Sequence, residues 1–463
     1  MVDPRMHRFI VRFQKAFQIL KQEGLVSLYK KVSDKLLARK EVEKETAELT
    51  DVVYDETAIQ FVGKKIESEQ LLQRILTQAI GEMIFTISHD DYLTVVSGVQ
   101  LRISDEQIME NKQGFSYLQI FPYQPRTMLD FSISVTIVGV NFDGNFLGFI
   151  EVDHLAPVLE RLISEKLLKE TRLHHLMSHK RDSIFSLLDI VKVSPIYFWL
   201  HDFFSICPNF PLLRNNKEYC HAPDPNSNAC QVCIYGGIRP LHYEFFVELF
   251  KRYPIKVIAP SEFALKFWYE KFPIKGIEGS VSPNLKLEDS ENRISKEVNL
   301  PLKIAYLGYP LDYKGWQTWL KLTEKLSGDT RYEFIYFSSL KVISRHFRQV
   351  SVETTAGNRD AMVKALKEND VQIAVLWSIC PETFSFTLYE SLAAGAYILT
   401  NPISGNICYY IQNNHRFGQV LNEADLFSQF ESGSIIELVK QSFLDRPNLK
   451  LRFFNDGWGE TSE

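Results

Sequence analysis

Residues 373–395 read IAVLWSICPETFSFTLYESLAAG. The run Ile373–Leu376 is short and apolar, the pattern of a buried strand. A helix is expected to begin near Ser385 and to close at Gly395, which can take the left-handed conformation that ends helices. Glu382 then sits on a strand-to-helix loop and Glu390 inside the helix. Free N–H groups and partial positive charge at that helix start suit a diphosphate. A carboxylate accepts two hydrogen bonds, so each glutamate can hold a vicinal diol of a ribose or a hexose. Singly, each glutamate also reads as a cap or a solvated helix residue; the pair in one loop–helix unit is the stronger signal.

Around this segment, strands and helices alternate. Strands are expected at Lys303–Leu307, Tyr332–Phe337, Ile373–Leu376 and Tyr397–Thr400, with helices at Trp316–Leu326, Asp360–Glu368 and Phe386–Ala394. An earlier series has strands at Met83–Ile87, Leu93–Val96, Tyr117–Phe121, Ser134–Val140, Phe146–Val152, Tyr197–Leu200 and Val257–Ala259. Its helices are Ala156–Thr171, Tyr243–Lys251 and Ser261–Lys271. Such alternation predicts parallel, wound α/β sheets. The charged stretch Lys286–Lys296 lacks an apolar period and reads as a linker. The expected division is a lead-in over 1–80, an α/β unit over 81–290, a second over 297–430, and a helix or tail over 431–463. Two α/β units in tandem enclose a cleft, a common place for small-molecule sites.

The chain has 463 residues, 45% hydrophobic and 24% charged, the balance of a folded globular protein. Its formal net charge is −5, which argues against a nucleic-acid partner. The charge is uneven: Met1–Lys40 holds ten Lys/Arg against three Asp/Glu, about +7. Phe9, Ile10, Phe13, Phe17 and Leu20 recur there at helical spacing, as do Leu25, Leu28, Val32, Leu36 and Leu37. Two readings stand for this basic amphipathic stretch: peripheral contact with an anionic membrane, or a helix packed on its own protein with a solvated basic face. The sequence has no apolar run of 18 residues and no signal-peptide pattern at its start, so the expected location is a reducing cytoplasm.

A second segment, Gly308 to Trp316 (GYPLDYKGW), follows the strand Lys303–Leu307. Lys314 falls at the strand-to-helix turn, where an ammonium can neutralise phosphate, and Gly315 permits close backbone approach. On these motifs the chain resembles the family 4 glycosyltransferases, of the bacterial surface-polysaccharide type (lipopolysaccharide or capsule). The two glutamates with seven residues between them are met by Glu382 and Glu390, followed by ESLAAG and by Thr400–Gly405 (TNPISG). Gly308 stands six residues before Lys314, as in that family. The arginine often found after that glycine is Tyr309 here, so one phosphate-binding cation is missing.

The resemblance extends to Ser97-Gly98-Val99-Gln100, where Ser97 replaces the first of two glycines, and to Val257–Ser261 and Val281–Asn284. It implies an α/β protein of the GT-B fold, with two facing Rossmann-like domains. It also implies a donor site at Gly98, Val99, Lys314, Thr383, Phe384, Ser385 and Glu390, in which Glu382 holds the sugar and Glu390 the ribose. His201, in Trp199-Leu200-His201-Asp202, resembles the histidine near the transferred sugar, where it would bind a sugar hydroxyl or the leaving phosphate. Asp202 would fix the His201 tautomer or contact the acceptor, and His175, beside His174 and His179, is a further acceptor candidate. No catalytic metal is implied.

Cys207, Cys220, Cys230 and Cys233 form a C-x12-C-x9-C-x2-C pattern inside a loop at 203–237. In a reducing compartment this reads as a structural zinc site, the alternative being four unligated thiols. The function expected is retaining transfer of a hexose from a UDP-, GDP- or dTDP-sugar to a glycan, such as a lipid-linked oligosaccharide. The competing expectation is a catalytically degenerate relative that binds glycan or scaffolds an assembly, motivated by Ser97 and Tyr309.

Overall fold

The computed structural model describes residues 64–453, except 133–134, 295–296, 356 and 445 and the side chains of 290–292 and 294. The amphipathic stretch at 7–40 and Ser134 therefore lie outside the described residues. The first helix among the described residues is α1 (Ser68–Gln78), followed by an eight-stranded sheet in the order β10-β9-β6-β5-β1-β2-β3-β4. Its strands are β1 (Met83–Ile87), β2 (Ser116–Pro122), β3 (Ile137–Phe142), β4 (Asn145–Glu151), β5 (Leu168–Leu173), β6 (Ile196–Trp199), β9 (Ile255–Ala259) and β10 (Gly279–Val281). All pair in parallel except β2–β3 and β3–β4, which are antiparallel at one edge. Helices α2 (Gly98–Lys112), α3 (Val152–Ser164), α4 (Arg181–Val191), α5 (Arg239–Arg252) and α6 (Glu262–Lys271) connect them, and a small hairpin, β7 (Leu213–Arg214) and β8 (Glu218–Tyr219), lies in the cysteine loop.

The second sheet is parallel throughout, in the order β14-β13-β12-β15-β16-β17. It comprises β12 (Leu302–Leu307), β13 (Tyr332–Phe337), β14 (Arg348–Val350), β15 (Ile373–Val375), β16 (Tyr397–Thr400) and β17 (Gly418–Val420). Helices α7 (Trp316–Lys325), α8 (Ala361–Glu368), α9 (Phe386–Ala393), α10 (Asn406–Asn413), α11 (Glu423–Ser432) and α12 (Ser434–Ser442) cover it. Both faces are buried, as parallel sheets require: Ile304, Tyr306 and Tyr336 enter one apolar cluster, while Ala305, Leu307 and Ile335 enter the other. The chain winds outward from β12 to β14, then returns to the other side of β12 at β15. Loops leaving β12 and β15 thus diverge and open a crevice at the carboxyl edge, the usual ligand position in such sheets. The first sheet has the same device between β1 and β5.

Two expectations fail here and one is refined. The stretch 286–296, expected as a linker, does run between the two sheets, but Leu285–Ile294 forms a strand, β11, antiparallel to the tail strand β18 (Arg446–Phe453). Its partner lies about 160 residues away in sequence, so no local pattern announces it. The helix expected over 156–171 stops at Ser164, and Leu168–Leu173 is a central strand whose Glu170 and Arg172 join a buried ionic network. Leu93–Val96 is an exposed turn, organised by the Asp91 carboxylate accepting from the Leu93 N–H at 2.9 Å.

Candidate functional site

Lys314 closes a single 3-10 turn, Asp312–Lys314, and Gly315 follows at φ 86°. A Cβ at Gly315 would stand 2.2 Å from the Trp377 carbonyl oxygen, so the turn exists only with glycine here. This turn carries Lys314 to the loop after β15. The ammonium donates to Oε1 and Oε2 of Glu382, each at 2.6 Å. Burial works against the charge, but the Glu382 carboxylate outweighs it and holds Lys314 above its ordinary value. The groups assigned by sequence to phosphate and to sugar therefore face each other as an ion pair. The Glu382 backbone is anchored by its carbonyl, which accepts from the Asn406 N–H at 2.8 Å.

Helix α9 starts where the sequence predicts, with the Ser385 hydroxyl accepting from the Leu388 N–H. The Phe384 ring is buried, stacked on Tyr389 at 4.7 Å. The side chains of both residues are thus engaged in shaping the loop. Gly395 takes φ 87° beyond the helix end, as expected. Glu390 is buried in α9, and burial lifts its carboxyl to about 7 against the pull of the Arg359 guanidinium.

The other wall comes from the first sheet. Gly98 and Val99 lie in the first turn of α2. A Cβ at Gly98 would meet Phe386 Cε2 at 3.1 Å, so the N-termini of α2 and α9 approach closely across the cleft. Two positive helix ends converge there. Thr383 ties the halves together: its hydroxyl donates to the His201 carbonyl, and its own carbonyl accepts from the Ser261 hydroxyl at 2.7 Å. Arg359 and Asp105 form a further bridge at 3.1 Å, with both side chains nearly buried. Burial lifts Asp105 to about 6 despite Arg359 and Arg102.

The histidines are arranged differently from the sequence reading. Asp202 does not hold His201; its Oδ2 pairs with His175 Nε2 at 3.1 Å and its Oδ1 caps the Phe204 N–H. Both His175 nitrogens are used internally, since Nδ1 accepts from the Met177 N–H. Its ring packs on His89 at 4.5 Å and Phe204 at 4.7 Å. His179 bonds the Ser88 carbonyl at 2.7 Å. His201 Nε2 instead meets His174 Nδ1 at 2.9 Å, and His174 Nε2 meets Glu106 Oε2 at 3.0 Å. Glu106 also accepts from Arg102 Nε at 2.8 Å and Arg172 Nη1 at 2.9 Å.

Sequence reasoning missed Glu106, Arg102, Arg172, Arg359 and His89. One signal was available: residues 98–112 carry Arg102, Asp105, Glu106 and Glu110 without a clean apolar stripe, although all four are buried. A helix with buried charges needs partners from neighbouring elements.

Cys207, Cys220, Cys230 and Cys233 line one small cavity of about 20 Å³, with Arg239 donating to Cys230 Sγ at 3.1 Å. The four thiols are a suitable zinc donor set. Among the described residues, however, no group of three His, Cys, Asp or Glu side chains is spaced to hold a metal ion. Burial pushes the Cys207 thiol up to about 12. No described helix is long and apolar enough to cross a membrane.

The architecture is two Rossmann-like sheets facing each other across this cleft. The fold is GT-B. Solved structures that resemble the chain include sucrose-phosphate synthase from Thermosynechococcus elongatus, at 10% identity and a TM-score of 0.48 over 78% of this chain and 92% of that one. The pneumococcal O-GlcNAc transferase GtfA, in complex with UDP and GlcNAc, matches at 9% identity and 0.47 over 82% and 98%. TarM matches at 10% and 0.48 over 78% and 94%. No protein-family model matches the chain, and no curated protein matches it in sequence.

Proposed function

We propose that this chain is a glycosyltransferase that moves a hexose from a nucleoside diphosphate sugar to a hydroxyl of a glycan, with the anomeric configuration retained. The observation that carries the reading is the Lys314–Glu382 pair at the crevice of the second sheet, beside buried Glu390 and two facing helix N-termini. The diphosphate would take the Lys314 ammonium and the helix N–H groups, releasing Glu382 to the sugar hydroxyls. Glu390 would accept from the ribose diol. In front-face displacement the bond from the anomeric carbon to the acceptor oxygen forms as the bond to the diphosphate oxygen breaks. The acceptor proton passes to the departing phosphate, so the protein supplies position and charge rather than a nucleophile.

The motif resemblance and the basic stretch at 1–40 support a lipid-linked glycan acceptor at an anionic membrane. For the loop at 203–237 the reading keeps the four thiols as ligands of a structural zinc.

The test is a thermal-shift screen against UDP-, GDP-, ADP- and dTDP-sugars, with Glu390→Ala beside the wild type. A single nucleotide class should raise the melting temperature of the wild type alone, because ligand binding stabilises the native state. If millimolar ligand moves nothing, the degenerate-scaffold reading replaces this one.

A further inference from the structure

His201 lies where the two halves meet, its carbonyl accepting from the Thr383 hydroxyl, with one ring nitrogen committed and one free. Nε2 meets His174 Nδ1 at 2.9 Å, whereas Nδ1 has no partner among the described residues, and the residue is only part-buried. The two rings lie 23° from coplanar with centroids 5.1 Å apart. Two ring radii plus the 2.9 Å gap account for that separation, so the rings meet edge to edge through an aligned hydrogen bond rather than as a face-to-face stack.

One proton must lie between each pair of nitrogens or oxygens along this chain, and its direction can be read from the far end. Glu106 is fully buried. Arg102 Nε reaches its Oε1 at 2.8 Å, while Oε2 takes Arg172 Nη1 at 2.9 Å and the Tyr117 hydroxyl at 3.2 Å. Burial would raise this carboxyl, but the His174 hydrogen bond and the Arg172 and Arg102 guanidiniums hold it well below the usual range, so it is an acceptor only. His174 Nε2, 3.0 Å from Oε2, therefore carries a proton and donates it. The His174 ring is fully buried, and burial keeps it neutral against the pull of Glu106. Its Nδ1 is then a bare lone pair. It can only accept, so the proton in the 2.9 Å contact belongs to His201 Nε2. Burial, with His174 and His175 nearby, keeps His201 neutral as well. Its Nδ1 is left without a proton.

We propose that Glu106, acting through His174, is a positioning residue that fixes His201 as the Nε2–H tautomer and presents Nδ1 to the cleft purely as a hydrogen-bond acceptor. This deepens the donor reading, on which its functional half rests. Of the two partners the sequence left open for His201, it selects a sugar hydroxyl, which donates, and rejects a phosphate oxygen, which only accepts. Orientation by a buried carboxylate through one intervening ring is the logic by which outer-layer groups set tautomers in other sites.

The proton positions can be measured directly by long-range ¹⁵N–¹H correlation on the wild-type protein labelled at histidine, with His174→Asn and His201→Asn for assignment. Both rings should be neutral with the proton on Nε2. A His201 proton on Nδ1 overturns the relay, whatever the donor screen returns. Glu106→Gln provides the second arm, because its amide can donate to His174 Nε2 and reverse every hydrogen bond in the chain. In the folded variant the His201 proton should move to Nδ1 and the donor KM should rise about tenfold, with kcat changed less. If the tautomer flips and KM is unmoved, His201 does not bind the sugar and the functional half falls. If Glu106→Gln does not fold, the wild-type spectrum still decides the relay. The KM of His201→Asn, which lacks the ring, then decides the functional half: no rise overturns it. Failure of the donor reading itself is separate, since it appears as the absence of any thermal shift in the wild type.

Discussion

The Lys314 ammonium sits astride the Glu382 carboxylate, 2.6 Å from each oxygen, although the two residues are 68 positions apart and leave different strands. The cation that would receive a diphosphate is thus held by an anion until a ligand competes for it. Removing Glu382 should free Lys314. Glu382→Ala is expected to bind free nucleoside diphosphate several-fold tighter than the wild type while donor turnover falls, and Lys314→Ala to lose about 10²–10³ in kcat. Titration calorimetry with the diphosphate, and hydrolysis of the nucleotide sugar without acceptor, read the two effects. Weaker diphosphate binding by Glu382→Ala would sink the idea that the pair masks the site.

Glu390 makes donor binding depend on pH. Its carboxyl is lifted to about 7, so in the free protein it carries a proton below that pH. A ribose diol has two hydrogens to donate and pairs best with the ionised form. Donor affinity should rise as pH increases through 7, with proton release on binding, visible in calorimetry across buffers of different ionisation enthalpy. The raised value also means that folding favours the protonated form, so ionised Glu390 costs stability above the unfolded-state value near 4.5. Glu390→Gln should therefore melt higher than the wild type at pH 8 while binding donor poorly and without pH dependence. Unchanged pH dependence in that variant would assign the titration to another group.

Two glycines with left-handed φ separate strain from collision. Gly308, at φ 92°, has open space where a Cβ would go, whereas at Gly315 a Cβ would strike the Trp377 carbonyl. Gly308→Ala should cost about 1–2 kcal/mol from backbone strain alone. Gly315→Ala should cost more, lower the melting temperature by roughly 5 °C or more, and displace Lys314. Equal melting temperatures for the two variants would contradict the close approach.

The cysteine loop gives a stoichiometric test. Metal analysis of protein purified without chelator should return about one zinc per chain, and Cys233→Ser should lose it together with part of the thermal stability. Metal-free protein whose six thiols all titrate with a thiol reagent after unfolding would establish that the four cysteines around Arg239 are unligated.

The second sheet was legible because each of its central strands is a short apolar run followed by turn residues, and Ile373 to Gly395 includes its own stop signals. The first sheet was harder. Its strand β5 reads LKETRL because Glu170 and Arg172 serve a buried network with Glu106 and Glu110, so charge hides a central strand. The donor-side residues were readable as spaced motifs on loops. The partners of His201 were not, since Glu106 and His174 come from α2 and the end of β5 and meet only when the sheet is assembled. Asp202 is adjacent to His201 in sequence, and adjacency is a poor guide where successive residues at a strand end point apart.

The two halves are joined at β11, and β18 runs back alongside it, with Leu285 opposite Phe453 and Ile294 opposite Arg446. This ribbon packs on α9, the helix that carries Glu390. A single extended thread would let the halves swivel freely. A paired ribbon resists twisting more than a single strand would, so the crossing between the halves is braced beside the helix that carries Glu390. Residues 446–453, remote in sequence from every proposed donor-binding residue, thereby stiffen the segment through which the donor-holding half is reached.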